Sequence, residues 1–247
     1  QTAWLKAHYP AEFMAANLSL AMDDTDKVKV LYDDCVQNQL TVLAPNINTG
    51  TYEFTPQRVA QEDVDLPLHQ IRYGLGAVRG TGEAAIAALV KVREQGGPFK
   101  DLFDFCARID RRQVNRRAIE ALLRAGAFDV LYPLAQTPGA KPYDIRASLL
   151  ASLARAIEAA EQAEASIHQV SLFDSVADGD RHLPELVREP VWPEKKRLQE
   201  EKTALGLCLT GHQQTFFFNY RHKPKSTHLL ALPHRLRQHL LMHLKGS

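Results

Sequence analysis

The sequence has few cysteines and no long apolar run. Its three cysteines, Cys35, Cys106 and Cys208, lie far apart and show no Cys-x-x-Cys spacing. This argues against a disulfide scaffold or a zinc ribbon and fits a reducing cytoplasm. No stretch approaches about 18 uncharged apolar residues, so the sequence predicts no membrane span. The chain starts at Gln1 with neither an initiator Met nor a signal peptide, so we expect a piece of a longer, cytoplasmic protein.

Catalytic constellations are also scarce. Asp63-Val64-Asp65 has the spacing of a metal-binding carboxylate pair, but no third carboxylate accompanies it. His239 and His243 would share a helical face, yet two ligands do not make a zinc site. No Ser/His/Asp or Cys/His arrangement stands out. The sequence therefore predicts no catalytic residue, metal site or cofactor within this chain.

The composition is that of a globular protein with an uneven charge distribution. The 247 residues are 45% apolar and 24% charged, which suits one large domain or two smaller ones. The formal net charge is +1, but residues 213–247 hold six Lys and Arg and no acid, which leaves residues 1–212 at −5. The overall field of residues 1–212 disfavours nucleic acid, so any such contact there must come from a local basic patch.

Hydrophobic periodicity predicts a mainly α protein with a few short strands. Helical patterns cover residues 3–36, with a kink or a helix start at Pro10 and caps offered by Asp24, Thr25 and Asp26. They also cover residues 74–129, and a further amphipathic helix carries Leu149, Leu153 and Ile157. A last helix is expected to have Pro193 as its first residue and to end near Leu205. The predicted strands are Thr41–Leu43, Tyr52–Thr55 and Ile71–Tyr73.

The most specific local pattern is a glycine-rich turn, Gly74-Leu75-Gly76-Ala77-Val78-Arg79-Gly80-Thr81-Gly82-Glu83. A short helix, a Gly-x-Gly turn and a second helix from Glu83 would make a helix-hairpin-helix. Gly80 and Gly82 would let the backbone approach a phosphate oxygen, and the free N–H groups of the second helix would donate to it. Such a device holds the nucleic-acid backbone without reading sequence. The structural alternative is an αα-hairpin in which these glycines only allow close packing.

A basic run follows this turn. Residues 107–124 contain six arginines, offset only by Asp110 and Glu120: Arg108, Arg111, Arg112, Arg116, Arg117 and Arg124. Gly126, just beyond, predicts a helix C-cap or a degenerate second hairpin. Two tandem hairpins would grip successive phosphates of a duplex, whereas the alternative is a solvated basic face. We favour DNA binding, with these candidate residues: Arg79, Gly80, Thr81, Gly82, Arg111, Arg112, Arg116 and Arg117.

The segment Gln169-Val170-Ser171-Leu172-Phe173-Asp174 places two large apolar residues in a polar, non-periodic stretch. A buried strand is the structural alternative, but the polar flanks favour an exposed peptide that inserts into a partner's pocket. Burial of Leu172 and Phe173 would each contribute roughly 1.5–3 kcal/mol, and micromolar affinity needs about 8 kcal/mol. The peptide therefore suits an avidity element beside a separate DNA contact.

Four stretches in the same order resemble the DNA polymerase III alpha subunits, the C-family replicative DNA polymerases of bacteria. They are residues 4–16 (from Trp4-Leu5-Lys6-Ala7-His8-Tyr9-Pro10), 73–83, 99–106 and 205–212. The resemblance covers about residues 1–212. It implies template-directed DNA synthesis by a DNA-directed DNA polymerase, a nucleotidyltransferase of DNA replication. Its implied partners are a duplex primer-template, the sliding clamp (beta subunit) and other replicase subunits, with no membrane.

The resemblance also implies a division of the chain. Residues 1–68 are similar to the C-terminal part of the fingers domain, 69–132 to the tandem helix-hairpin-helix, and 133–165 to a linker and amphipathic helix. Residues 166–192 form an exposed segment in which Gln169, Ser171, Leu172 and Phe173 look like the clamp-binding motif. Residues 193–212 form a helix leading towards an absent oligonucleotide-binding domain. Lys6 and His8 fall where the family faces the incoming nucleotide.

The departures from the family are as informative. The three catalytic carboxylates that hold Mg²⁺ in the family lie in the palm, upstream of Gln1, so this chain alone is expected not to extend a primer. Residues 213–247 do not match the family, and they form either a basic amphipathic helix or a product of translation out of the native frame. Two other hypotheses stay open: a non-catalytic module for DNA binding and clamp docking, and an error-prone C-family relative. The intact Gln169–Phe173 motif weakens the hypothesis of an error-prone relative.

Overall fold

The computed structural model describes residues 2–59, 68–132, 140–170 and 185–211. The chain opens with three helices, α1 (Thr2–His8), α2 (Pro10–Leu20) and α3 (Thr25–Gln37). Pro10 begins α2, as its fixed φ and missing N–H favour at a first helical turn. The Asp24 carboxylate caps α3 by accepting from the backbone N–H groups of Asp26 and Lys27. The predicted helix start at Pro10 and cap at Asp24 are confirmed.

A small sheet follows the first three helices. It contains β1 (Thr41–Leu43), β2 (Thr55–Val59) and β3 (Leu68–Arg72) in the order β1-β3-β2. The central strand β3 pairs parallel with β1 and antiparallel with β2. Its Ile71 is fully buried beneath α2, the helix that packs on β2 and β3.

One strand was predicted in the right place and two were displaced. Thr41–Leu43 is confirmed, whereas β2 begins where the predicted strand Tyr52–Thr55 ends, and β3 begins three residues before the predicted Ile71. The carbonyls of Thr51 and Tyr52 instead accept the N–H groups of Leu75 and Gly76. This contact with a later segment removes Tyr52 from the ladder, which a local sequence pattern does not reveal.

Five helices complete the described structure. They are α4 (Glu83–Gly96), α5 (Leu102–Arg108), α6 (Arg116–Ala125), α7 (Arg146–Val170) and α8 (Glu194–Leu205). Short 3-10 helices occupy Leu75–Ala77, Asp129–Leu131 and Pro142–Ile145. The predicted mainly α class with a few short strands is confirmed. Pro193 is the N-cap of α8 and not its first residue.

The core joins the sheet to the later helices. α5 packs along α7, and α6 packs against both α7 and α8. The aromatic rings of Phe99, Phe105 and Phe128 meet edge to face between these helices, with centroid distances of 4.9 Å. Leu149 and Leu153 of α7 are fully buried and Ile157 is partly buried, as the amphipathic pattern predicts. Residues 1–209 group as one compact unit, which positions the surfaces considered next.

None of the helices in the described ranges has the length and apolarity that crossing a membrane requires.

Candidate nucleic-acid interface

The predicted glycine turn lies between the 3-10 helix Leu75–Ala77 and the first residue of α4, Glu83. The first helix of the predicted hairpin is thus a single 3-10 turn. Gly80 adopts φ +87°, in the left-handed region that favours glycine. The Thr81 hydroxyl lies 2.6 Å from the Val78 carbonyl and 2.8 Å from that of Leu75, so its side chain braces the turn from within. Gly82 is the N-cap of α4 and offers no side chain to the helix N-terminus.

Close packing does not explain either glycine of this turn. A Cβ added at Gly80 or at Gly82 would meet no atom within 4 Å. Gly80 is explained by its φ, but Gly82 has an ordinary φ of −88° that any residue adopts. Neither backbone conformation nor space requires a glycine at Gly82. What its glycine does provide is an open surface beside the first, unsatisfied N–H groups of α4.

The second helix pair consists of α5 and α6, joined by residues 109–115. The Asn115 side chain caps α6 by accepting from the Ala118 N–H at 3.0 Å. Two of the predicted arginines here are already paired: Arg111 donates to Glu164 at 2.7 Å and Arg116 to Glu120 at 3.0 Å. At the other end of α6, Gly126 is the predicted C-cap, in a left-handed conformation.

Three of the predicted arginines are exposed and unpaired. The structure places no carboxylate of the described residues within 4.0 Å of Arg79, Arg112 or Arg117. Arg79 belongs to the glycine turn, Arg112 to the turn between α5 and α6, and Arg117 to the first turn of α6. These three side chains are available to an outside anion.

The remaining arginines of the basic run serve the fold. Arg108 donates to the carbonyls of Val92 and Gly97 and to the Asp104 carboxylate. It therefore satisfies carbonyls at the end of α4. Arg124 lies 2.9 Å from the Glu200 carboxylate on α8 and 3.6 Å from that of Glu120. The sequence did not separate these structural arginines from the exposed ones, because their partners lie on other elements.

Arg79 and Arg117 line one cleft. This cleft, of about 400 Å³, is bounded by the glycine turn, one face of α6 from Arg117 to Arg124 and the end of α8. Its wall at Arg79 is fixed to α8, because the Arg79 backbone N–H donates to the Ala204 carbonyl at 2.8 Å. Arg112 does not line the cleft. The structure thus brings together part of the predicted set, Arg79, Gly80 and Arg117, in one anion-attracting recess.

Lys6 and His8 lie apart from these residues, on α1. Lys6 donates to the Asp34 carboxylate of α3 at 2.7 Å. The exposed His8 ring stacks on Trp4, with centroids 4.3 Å apart, and its Nδ1 lies 2.9 Å from the Trp4 carbonyl. Residues two apart on a helix face different directions, so the pair does not form one site on α1 by itself.

A buried ion cluster, which sequence reasoning missed, supports the hairpin region. Arg146 of α7 is 1% exposed and makes a bidentate pair with Asp129, at 3.0 and 2.7 Å. It also donates to the buried Glu201 of α8 at 2.9 Å. These partners lie 17 and 55 residues away along the chain, so no local pattern pointed to them. Through these ion pairs, Arg146 of α7 links Asp129, just after α6, to Glu201 of α8.

The titration of Asp129 follows from this burial. Loss of solvent raises the pKa of the Asp129 carboxyl to about 6, against the opposing attraction of Arg146. The negative charge of Glu201 adds to this rise in pKa, because it repels a second negative charge on Asp129. Protonation of Asp129 is therefore easier in the folded protein than in the unfolded chain.

The predicted clamp-binding residues fall mostly outside the described residues. Gln169 belongs to the last turn of α7, which extends to Val170 and so past the predicted boundary at 165. Ser171, Leu172 and Phe173 lie outside the described residues, as does the tail 213–247. The chain returns to α7 at Val187 and Glu189, whose N–H groups donate to the Ser152 and Ser148 hydroxyls.

Two comparisons with known proteins bear on this geometry. Residues 39–136 match the helix-hairpin-helix motif family, a range that holds the sheet, the glycine turn and the α5–α6 pair. The region is therefore a helix-hairpin-helix, as predicted.

The chain is also 45% identical over 212 residues to the DNA polymerase III subunit alpha of Neisseria meningitidis serogroup B. It is 46% identical over 216 residues to the subunit of Vibrio cholerae O1 and 43% identical over 216 residues to that of Escherichia coli K12. Each match covers 86% of this chain and 17% of the relative. The chain is homologous to a segment of the DNA polymerase III alpha subunits, which confirms the resemblance.

Proposed function

We propose that this chain is part of a replicative DNA polymerase and that its helix-hairpin-helix region holds the backbone of duplex DNA. Because the chain spans 17% of its relatives' length, polymerisation itself is proposed for a longer protein. The relatives' role in replication also supports a cytoplasmic location. The observation that carries the DNA contact is the open surface at Gly80 and Gly82, with the unpaired Arg79 in the same turn and the unpaired Arg117 lining the same cleft.

The donors of this surface suit phosphate oxygens. Backbone N–H groups at a helix N-terminus and arginine side chains are the common donors to phosphate oxygens. They carry no information about base identity, because every nucleotide presents the same phosphate. The predicted DNA-binding residues therefore support a sequence-independent grip, within which Arg111 and Arg116 would have to leave Glu164 and Glu120 to contribute.

The test is binding of this chain to two short duplexes of unrelated sequence over a range of salt concentrations. We expect equal affinities that fall linearly in a log–log plot, with a slope of about −0.9 for each phosphate neutralised. Affinity for only one duplex, or none at low salt, would contradict the proposal. Gly82→Ala is the sharpest variant, because a methyl group there meets no protein atom but would stand between α4 and a phosphate.

Polymerase chemistry in this family is proposed to use Mg²⁺. Within the described ranges no group of three or more His, Cys, Asp or Glu side chains could hold a metal ion. These residues do not fit a catalytic metal centre, and we assign them no step of nucleotide transfer. We accordingly expect no nucleotide incorporation by this chain on a primed template, measured against a full-length relative.

The second proposed partner is the sliding clamp, bound through Gln169, Ser171, Leu172 and Phe173. The support is the sequence pattern and the homology to replicative subunits. We expect micromolar binding to a bacterial clamp that is lost in Leu172→Ala/Phe173→Ala and kept in Leu183→Ala, a control in the same segment. Absence of binding by the unmutated chain would remove this partner. It would also favour the alternative of an error-prone relative over a replicative subunit.

A nucleotide contact by Lys6 and His8 stays a prediction. For Lys6 to reach a triphosphate, its ion pair with Asp34 would have to open. Replacing the residue equivalent to Lys6 with Ala in a full-length relative should then raise the KM for nucleotides. A structural role alone would lower stability and leave the KM unchanged.

A further inference from the structure

We propose that the cleft between the glycine turn and α6 holds one phosphate of the duplex, shared by Arg79 and Arg117. This inference rests on the proposed DNA contact and deepens it. Tandem hairpins are expected to grip separate phosphates, one for each hairpin. Here an arginine from each of the two hairpins lines the same recess.

The charges of the cleft favour an anion. Its charged lining consists of three arginines, Arg79, Arg117 and Arg124, and one glutamate, Glu120. Glu120 is neutralised by Arg116 at 3.0 Å and lies 3.6 Å from Arg124, while Arg124 also pairs with Glu200. The unpaired charges that remain are those of Arg79 and Arg117. The repulsion between these two like charges is offset when an anion binds between them.

The walls of the cleft are set before any ligand arrives. The Arg79 backbone is held by its bond to the Ala204 carbonyl, and Thr81 braces the turn through its hydroxyl. On the other side, the Asn115 Oδ1 atom caps α6, which leaves its amide N–H₂ group as the part able to donate. Because the backbone on both sides is fixed, the entropy lost on binding is mainly that of the two arginine side chains.

The volume and chemistry of the recess fit a phosphate of a polymer. Its 400 Å³ exceeds a phosphate group alone and leaves room for the adjoining sugar. Thr203, Ala204 and Ala121 complete the lining with small side chains. The cleft's available donors are the two unpaired guanidinium groups and the Asn115 amide, and its one carboxylate, Glu120, is already paired. A donor-rich lining of this kind suits the acceptor oxygens of a phosphate, so we assign the ligand to the backbone.

The test is the salt dependence of duplex binding by Arg79→Ala, Arg117→Ala and the double variant. If both arginines neutralise one phosphate, each single variant weakens binding but keeps most of the log–log slope. The double variant then lowers the slope by about 0.9, the value for one phosphate. Arg112→Ala, outside the cleft, is the matched control and should lower the slope by about 0.9 by itself. When it is combined with either cleft variant, the two changes in slope should add.

Two separate phosphates would give a different result. Each single variant would then lower the slope by about 0.9, and the double variant by about 1.8, which would overturn the shared site while leaving the DNA contact intact. Failure of the unmutated chain to bind any duplex would instead overturn the proposed function and this site with it. All of these variants should keep the unfolding midpoint of the unmutated chain, because none of the Arg79, Arg112 and Arg117 side chains pairs with a carboxylate of the described residues.

Replacing one charged phosphate of the duplex with a neutral methylphosphonate provides a second test of the shared site. The duplexes are cut to the shortest length that still binds, so that only one binding register is available, and each carries one methylphosphonate at a different position. One position should weaken binding by the unmutated chain and have no effect on the double variant. Two such positions, one for each single variant, would contradict the shared site.

Discussion

The two ends of α6 use arginine in opposite ways. At the N-terminal end, Arg117 is exposed and unpaired among the described residues, and it lines an open cleft with Arg79. At the C-terminal end, the chain turns at Gly126 onto Arg146, which is buried between two carboxylates. Pairing and burial therefore decide the role of each arginine: the buried guanidinium holds helices together, and the exposed ones are left for a ligand.

This comparison predicts that arginine variants will separate into two classes. Arg146→Met should cost the most, about 3–5 kcal/mol of unfolding free energy, because it leaves Asp129 buried without its guanidinium and removes a donor from the buried Glu201. Urea denaturation measures this loss. Arg112→Met, at an exposed position, is the control and should stay within about 0.5 kcal/mol of the unmutated chain. Equal stability of the two variants would contradict the distinction between a buried, structural arginine and an exposed one.

The paired arginines of the basic run should fall between these extremes. Arg108→Ala leaves the carbonyls of Val92 and Gly97 without their donor, so we expect a loss of about 1–3 kcal/mol. Its effect on DNA affinity, measured at a temperature where both proteins are folded, should be small. A strong loss of affinity at full stability would place Arg108 among the ligand-binding arginines.

The two glycines of the turn should likewise separate an effect on stability, at Gly80, from an effect on DNA binding, at Gly82. Gly80→Ala must adopt φ +87° and should cost about 1–2 kcal/mol. Gly82→Ala has an allowed φ and open space, so its stability should be unchanged while duplex affinity falls several-fold. Thermal unfolding and fluorescence anisotropy on the same samples check both. Unchanged affinity in Gly82→Ala would show that no phosphate approaches this position.

The most gradual expected effect concerns pH, because it is spread over about two pH units. The folded-state pKa of Asp129 is about 6 and its ordinary value is 3.8, so between these values the folded protein binds a proton that the unfolded chain has released. Asp129 therefore makes the unfolding free energy fall as pH rises from about 4 to 6, by at most about 1.4 kcal/mol per pH unit. Asp129→Asn should lack this component in urea titrations at successive pH values. Identical pH profiles would contradict the raised pKa.

Sequence reasoning succeeded where the signal was local. The start of α2 at Pro10, the cap of α3 at Asp24 and the C-cap at Gly126 follow from the residue itself and its neighbours. It failed where a distant segment decides: Tyr52 bonds to Gly76 and not to a strand, and Arg146 finds its partners 17 and 55 residues away.

The candidate site shows the same limit. The glycine turn and the basic run were visible in the sequence, but six arginines close together gave no indication of which were already paired. Arg124 reaches Glu200 on α8, and Arg111 reaches Glu164 on α7. The cleft itself depends on α8 packing behind the turn at Ala204, a contact that spans more than half of the chain.

The central claim is that the unpaired arginines bind DNA and do not hold the fold. The most direct measurement compares duplex affinity and thermal unfolding for the unmutated chain and for Arg79→Ala/Arg112→Ala/Arg117→Ala. We expect an unchanged unfolding midpoint and a log–log salt slope lower by about 1.8, with one phosphate for the cleft and one for Arg112. An unchanged slope, or a destabilised protein, would contradict it.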